Sequence, residues 1–128
     1  SSVAAGAYYL SVTSTSTNDV ITKYTTSDER LKDFDGKIDG ALDKLDKING
    51  YYYKGNDVAA EFGYNTDERQ VGVSAQEVEA ILPEVVKTAP ISLDGETDYK
   101  TVQYEKLVPL LIEAIKELKD EVEKLKGN

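Results

Sequence analysis

The stretch Val108–Lys126, VPLLIEAIKELKDEVEKLK, decides the fold. Within it Val108, Leu111, Ile115, Leu118, Val122 and Leu125 alternate spacings of three and four residues, the signature of a coiled-coil seam. Val108, Ile115 and Val122 fall in one seam class, and Leu111, Leu118 and Leu125 in the other. Pro109 is compatible with a helix that begins at about this point, because a first-turn amide has no helical acceptor to lose. A helix over about 106–126 is therefore predicted, with roughly nineteen residues from Val108 spanning about 28 Å. Three heptads are marginal alone, so the helix needs support from the rest of the domain. The same stripe would also serve a helix folded back onto its own body. β-branched residues in one class and Leu in the other favour dimers among parallel coiled coils, although so short a seam specifies oligomer number weakly.

Upstream of this helix the signals alternate between strand and helix. Asp94-Gly95 separates two plausible strands, Val85 to Leu93 and Thr97 to Tyr104, and so reads as a hairpin. Ser74 followed by Glu77 is a capping box, predicting a short helix to Leu82 that Pro83 stops. Tyr51–Tyr53 begins a strand, and a second runs through Gln70 to Val73. At strand spacing such tyrosines read as core and rim packing rather than as a sugar-binding platform. Leu31, Phe34, Ile38, Leu42, Leu45 and Ile48 recur at helical spacing, with Gly36 and Gly40 each costing about 1 kcal/mol relative to Ala. The firm part of that helix is expected from Lys37 to the stop signal Asn49-Gly50. Residues 1–26 carry Y-Y-L-S-V at Tyr8 and D-V-I-T-K-Y-T-T at Asp19 on either side of the polar run Thr13 to Asn18, a composition for two strands joined by a turn. Together these make an α+β chain, a small mixed helix/strand body with a long C-terminal helix.

Composition narrows the function. At 128 residues the chain holds one domain with a modest core. A net charge of -9, from 24 acidic and 15 basic residues, argues against nucleic acid or an anionic membrane as partner. No apolar run approaches the roughly 20 residues of a membrane span, and the N-terminal stretch lacks the basic region of a secretory signal. Without Met, the sequence reads as the C-terminal piece of something longer. Without Cys or His it offers no thiol nucleophile, imidazole base or soft metal ligand, so no metal and no cofactor is expected.

One stretch still carries a chemical possibility. S-D-E-R-L-K at Ser27–Lys32 places a hydroxyl five residues before an amine. Ser27 would be the nucleophile and Lys32 its general base, and a lysine must be neutral to accept a proton. Moving such a group from about 10.4 to near 7 takes roughly 4–5 kcal/mol of bias against the ammonium. Asp28, Glu29 and Asp33 push the other way, so burial on folding and assembly has to supply that bias. Arg30 would stabilise an oxyanion or pair with an acid. Taken by itself, Thr-Ser-Asp-Glu is also a helix N-cap signature in which Ser27 merely caps.

The hexapeptide is followed in order by A-L-D-K-L at Ala41, V-G-V-S-A-Q-E-V at Val71, L-P-E-V-V at Leu82 and Y-E-K-L-V-P-L-L-I-E-A-I-K-E-L at Tyr104. Together these blocks resemble the intramolecular chaperone auto-processing domain of phage endosialidases, tailspikes and tail fibres, found also in myelin regulatory factors. D-F-D-G-K-I at Asp33 departs from the usual pattern. The resemblance implies a division into residues 1–27, the end of an upstream β-structured stalk, and 28–128, the chaperone domain. It implies a homotrimer joined along the C-terminal helix, whose upstream β-stalk is part of the same polypeptide. It also implies a single-turnover self-cleavage next to Ser27 by a Ser-Lys dyad. The setting it implies is a phage tail fibre or tailspike precursor folded in the host cytoplasm, with the released domain absent from the mature particle.

The resemblance places the cut between Ser27 and Asp28. Attack by a serine on its own carbonyl would close a four-membered ring, whereas attack on the preceding carbonyl closes a five-membered one and opens the Thr26–Ser27 bond. A neighbouring subunit's hydroxyl, or a water held by Ser27, are the other routes. The competing reading is a retained structural or receptor-binding trimeric fibre tip that is never cut.

Overall fold

The computed structural model describes residues 8–12 and 21–127. The chain divides into two compact units, Ser1–Gly36 and Lys37–Asn128. In the first, β1 (Tyr8–Val12) pairs antiparallel with β2 (Ile21–Thr25), in a register that sets Tyr8 opposite Thr25 and Val12 opposite Ile21. β-branched and aromatic residues favour this extended pairing. The turn expected over Thr13 to Asn18 lies outside the described residues. After β2 comes a short 3-10 turn, Glu29–Leu31.

The second unit is built around α1 (Ala41–Leu45) and α4 (Val108–Lys126). Leu110 and Ala114 of α4 are each 1% exposed and close on the fully buried Ala41, with Ile38, Leu42, Leu45, Ile48 and Leu82 around them. Burying a leucine to this degree is worth about 1.5–3 kcal/mol. A second cluster of Val78, Val85 and Val86 lies against Val73, Val102 and Leu107, and Ile48 and Leu82 touch both clusters, joining them into one core.

The first helix is much shorter than its hydrophobic spacing predicted. Only Ala41–Leu45 is α-helical; Gly36 (φ 90°) and Gly40 (φ 55°) are in left-handed backbone, which a right-handed helix cannot pass through. Gly40 offers no side chain to cap the helix. The carboxylate of Glu117, on α4, takes that place and accepts from the amides of Ala41 (2.8 Å) and Leu42 (3.0 Å). Ile38, Leu42, Leu45 and Ile48 still share the core, whereas Leu31 and Phe34 are each 73% exposed.

Three further pieces frame this core. β3 (Tyr51–Tyr53) pairs antiparallel with β4 (Gln70–Gly72), and β5 (Val86–Thr88) with β6 (Lys100–Val102). A side chain at Gly72 would meet the Tyr104 hydroxyl at 2.9 Å, and that hydroxyl accepts from the amide of Val73. The β5–β6 strands are shorter than expected because their connection folds on itself: Asp94 accepts from the amides of Glu96 and Thr97 and from the hydroxyls of Ser92 and Thr97. α3 (Ala75–Ile81) starts at Ser74, whose hydroxyl accepts from the amide of Glu77. The Glu77 carboxylate does not complete the expected box. It accepts from the backbone and side-chain amides of Asn49 and from the Tyr51 hydroxyl at 2.6 Å, tying α3 to the chain entering β3.

Two features were not expected. α2 (Asp57–Glu61), capped by Asn56, fills what read as a loop, and beside it Phe62 meets Tyr99 edge to face at 5.5 Å. The tyrosines of β3 are not core residues: all three are exposed, with Tyr51 bonded to Glu77, Tyr53 to Gln70 and Tyr52 lying 3.5 Å from the Arg69 guanidinium. A strand paired on one edge within a two-stranded sheet has too little covering it to bury both faces. Among the described residues no helix is long and apolar enough to cross a membrane.

Capping by Glu117 makes a pH-dependent contribution to stability. The two amides, Leu42 first and then Ala41, hold its carboxyl below its ordinary 4.5. Stability from such a group is complete above the unfolded value and is lost as the pH falls through the folded one. Glu117→Gln should lower the melting temperature by about 4–8 °C at pH 7, with the gap to the parent closing as the pH is taken below about 4. Paired thermal melts from pH 7 to pH 3 check this.

Candidate functional site

Ser27 leaves β2 two residues after its last paired position, Thr25. Fully extended chain from Ser27 to Lys32 would separate their Cα atoms by about 17 Å, beyond the reach of a lysine side chain. The 3-10 turn closes that gap. The amides of Leu31 and Lys32 donate to the carbonyls of Asp28 and Glu29, both at 3.1 Å, and fold the segment back on itself. Lys32 Nζ then donates to Ser27 Oγ at 2.7 Å. The sequence-predicted nucleophile and base are thus brought into direct contact within one chain.

Ser27 does not cap this turn. Asp28 does, its Oδ1 accepting from the amide of Arg30 at 2.8 Å, which leaves the Ser27 hydroxyl to Lys32. The same carboxylate is gripped by the Arg30 guanidinium, Nε lying 3.1 Å and 3.2 Å from its two oxygens and Nη2 2.8 Å from Oδ2. Arg30 holds the Asp28 carboxyl below the usual carboxylate range, through its side chain first and its amide second, and is itself raised by Asp28. With the Arg30 side chain 85% exposed, the pair adds little to stability; what it fixes is geometry. The sequence reading named Asp28 as a charge and as one side of the scissile bond but not as the cap, although an Asp two residues before an Arg at a turn start carries that signal. Nothing in the turn is buried, and Ser27 and Lys32 both face solvent.

The predicted seam occupies the open face of α4. Val108, Leu111, Ile115, Leu118, Val122 and Leu125 are all exposed, from 41% to 79%. Leu110 and Ala114, which pack on α1, sit roughly a quarter turn around the helix from that seam. The helix therefore folds back onto its own body through one stripe and presents another. Ile112, 50% exposed, widens the free apolar face beyond the residues picked out by spacing. Among the described residues no group of three His, Cys, Asp or Glu side chains gathers as a metal would require.

Residues 27–87 match a family that is named as a peptidase and described as the chaperone of endosialidase. Its matched segment begins at Ser27. The Long tail fiber protein Gp37 of Enterobacteria phage K3 is 36% identical over 104 residues, covering 81% of this chain and 8% of that protein. Gp37 of Enterobacteria phage M1 is 36% identical over 110 residues, covering 85% of this chain and 41% of that protein. Gp37 of Escherichia phage AR1 is 45% identical over 73 residues, covering 57% and 6%. The chain thus spans less than half the length of each of these relatives.

Proposed function

We propose, from the premise that this chain belongs through residues 27–87 to the chaperone-of-endosialidase family, that it is the chaperone of a phage tail fibre, joined to an upstream β-stalk, and that it releases itself by cutting next to Ser27. The observation that carries the cleavage reading is the 2.7 Å contact between Lys32 Nζ and Ser27 Oγ at the first residue of the family match. Three chains meeting along the exposed seam of α4 would align the ends of three stalks. Register is the hard problem for strands of repetitive sequence, because slipped pairings differ little in energy, and a clamp beside the stalk removes the ambiguity.

For the alternative bond, Thr26–Ser27, one chain can supply every step. Neutral Lys32 takes the Ser27 hydroxyl proton as Oγ attacks the Thr26 carbonyl, forming an O–C bond through a five-membered ring. The Thr26–Ser27 C–N bond breaks and its nitrogen takes the proton from Lys32. Water then hydrolyses the ester, leaving a Thr26 carboxylate and a Ser27 amine. Cutting at Ser27–Asp28, the bond the family resemblance implies, requires instead a hydroxyl from a neighbouring subunit or a water held by Ser27. The first residue of the released fragment, Ser27 or Asp28, distinguishes them.

The resting contact runs from Nζ as donor to Oγ as acceptor, whereas catalysis needs the reverse polarity. Both groups face solvent in the single chain, so assembly is assigned the task of excluding water from them. A retained fibre tip is favoured by one observation, the exposed Tyr51–Tyr53 strand with Arg69 against Tyr52. Full-length chain persisting after complete folding would support it over proteolysis.

Ser27→Ala should abolish cleavage and leave trimers by sedimentation; release of a fragment of about residues 28–128 from this variant, seen by mass spectrometry, would remove Ser27 from the mechanism. Lys32→Arg should slow cutting by about 10²–10⁴-fold, as Lys32→Ala should, since guanidinium keeps its proton at any accessible pH. Normal processing by the arginine variant on a gel would make Lys32 structural. Leu111→Asp with Leu118→Asp places two charges in the seam, and these chains should be monomeric and uncut. First-order processing in a monomer, established by sedimentation, would show that one chain holds the complete site.

A further inference from the structure

The proposed reaction has a local enemy that the sequence keeps one residue from the nucleophile. Asp28 adjoins Ser27 in sequence and Lys32 Nζ lies 2.7 Å from the Ser27 hydroxyl, so one short segment carries the hydroxyl, the amine and a carboxylate that could pair with that amine. A carboxylate is the stronger acceptor for an ammonium and would hold its proton in place. Yet Asp28 is needed where it stands, because its Oδ1 accepts from the amide of Arg30 and starts the turn that returns Lys32 to Ser27.

We propose that Arg30 is a positioning residue for the Ser27–Lys32 pair: its guanidinium occupies the Asp28 carboxylate and keeps it off the Lys32 amine. The geometry fits that task. Nε spans both Asp28 oxygens at 3.1 Å and 3.2 Å while Nη2 takes Oδ2 at 2.8 Å, so the charge on each oxygen is met by Arg30. Lysine could not bridge both oxygens from one planar fork. Asp28 is therefore able to cap the turn as a neutralised group. The other charged residues of this segment, Glu29, Asp33 and Asp35, remain the background against which the amine must lose its proton. Arg30 removes the one carboxylate that adjoins the nucleophile. This inference rests on the proteolysis reading and adds to it a residue that acts through Asp28 rather than on the reacting atoms.

Time courses of self-cleavage between pH 6 and pH 10 test it, using the full chain and three variants. Arg30→Gln should cut about three- to tenfold more slowly at neutral pH, with the pH–rate profile displaced to higher pH and the rate recovered at alkaline pH. Asp28→Asn keeps an oxygen that can cap the turn and should cut at least as fast as the parent. The double variant, with no carboxylate left to occupy, should regain the parent's rate and profile. Arg30→Gln cutting at the parent's rate at every pH would overturn the inference. So would a double variant as slow as Arg30→Gln alone, since Arg30 would then act on the reacting atoms or the turn itself. Either result leaves the Ser27–Lys32 reading standing. A parent chain that stays uncut, like its Ser27→Ala variant, would instead overturn that reading and this inference with it.

Discussion

Leu110 and Ala114 of α4 close on Ala41 of α1, and Glu117, one turn further along α4, caps the first amides of α1. The second unit depends on this contact. It unites the two ends of the unit's sequence, since α1 lies near its start and α4 near its finish. It also sets how α4 is rotated. With Leu110 and Ala114 turned inward, Val108, Leu111, Ile115, Leu118, Val122 and Leu125 are obliged to face out. Packing within one chain thus leaves a second apolar stripe of α4 exposed. The core it builds is small: among the described residues only Ala41, Val78, Val85, Val86, Leu110 and Ala114 are buried hydrophobics.

What could be read from the sequence followed from the range of the forces involved. The C-terminal helix, the Ser74 cap and the strands at Tyr8, Tyr51 and Gln70 are set by local pattern, and they stand close to where spacing put them. α1 was overextended because its apolar spacing persists through two glycines whose positive φ no spacing argument can see. Its true start depends on Glu117, seventy-odd residues away, and a tertiary cap leaves no mark beside the helix it caps. The tyrosines failed for a similar reason. Whether a strand is covered depends on what packs over it, and nothing local to Tyr51–Tyr53 states that β3 has a single partner strand.

The site was legible in its parts and not in its wiring. A hydroxyl and an amine five residues apart meet if a tight turn lies between them, and the sequence reading had only Ser27 as its cap. Ser27 and Asp28 are both good caps. Charge separates them: Asp28 can accept from the Arg30 amide and pair with the Arg30 guanidinium at once, which a serine cannot do. Once Asp28 caps, the serine is released to Lys32, so the stronger cap next to Ser27 is what leaves its hydroxyl to the amine.

The same residue choice bears on the base chemistry proposed for so polar a segment. In an isolated chain Ser27 and Lys32 face water, Leu31 and Phe34 beside them are 73% exposed, and no part of the turn is buried. Solvent exposure and neighbouring carboxylates each stabilise an ammonium over an amine. The base role proposed for Lys32 therefore needs both removed. The fork of Arg30 holds, within the turn, the carboxylate next in sequence to Ser27. In the proposed reaction exclusion of water would fall to the association of chains, for which α4 offers an exposed apolar face. The proposed cleavage would on this account be slow in a lone chain and faster on assembly, the order in which release follows folding.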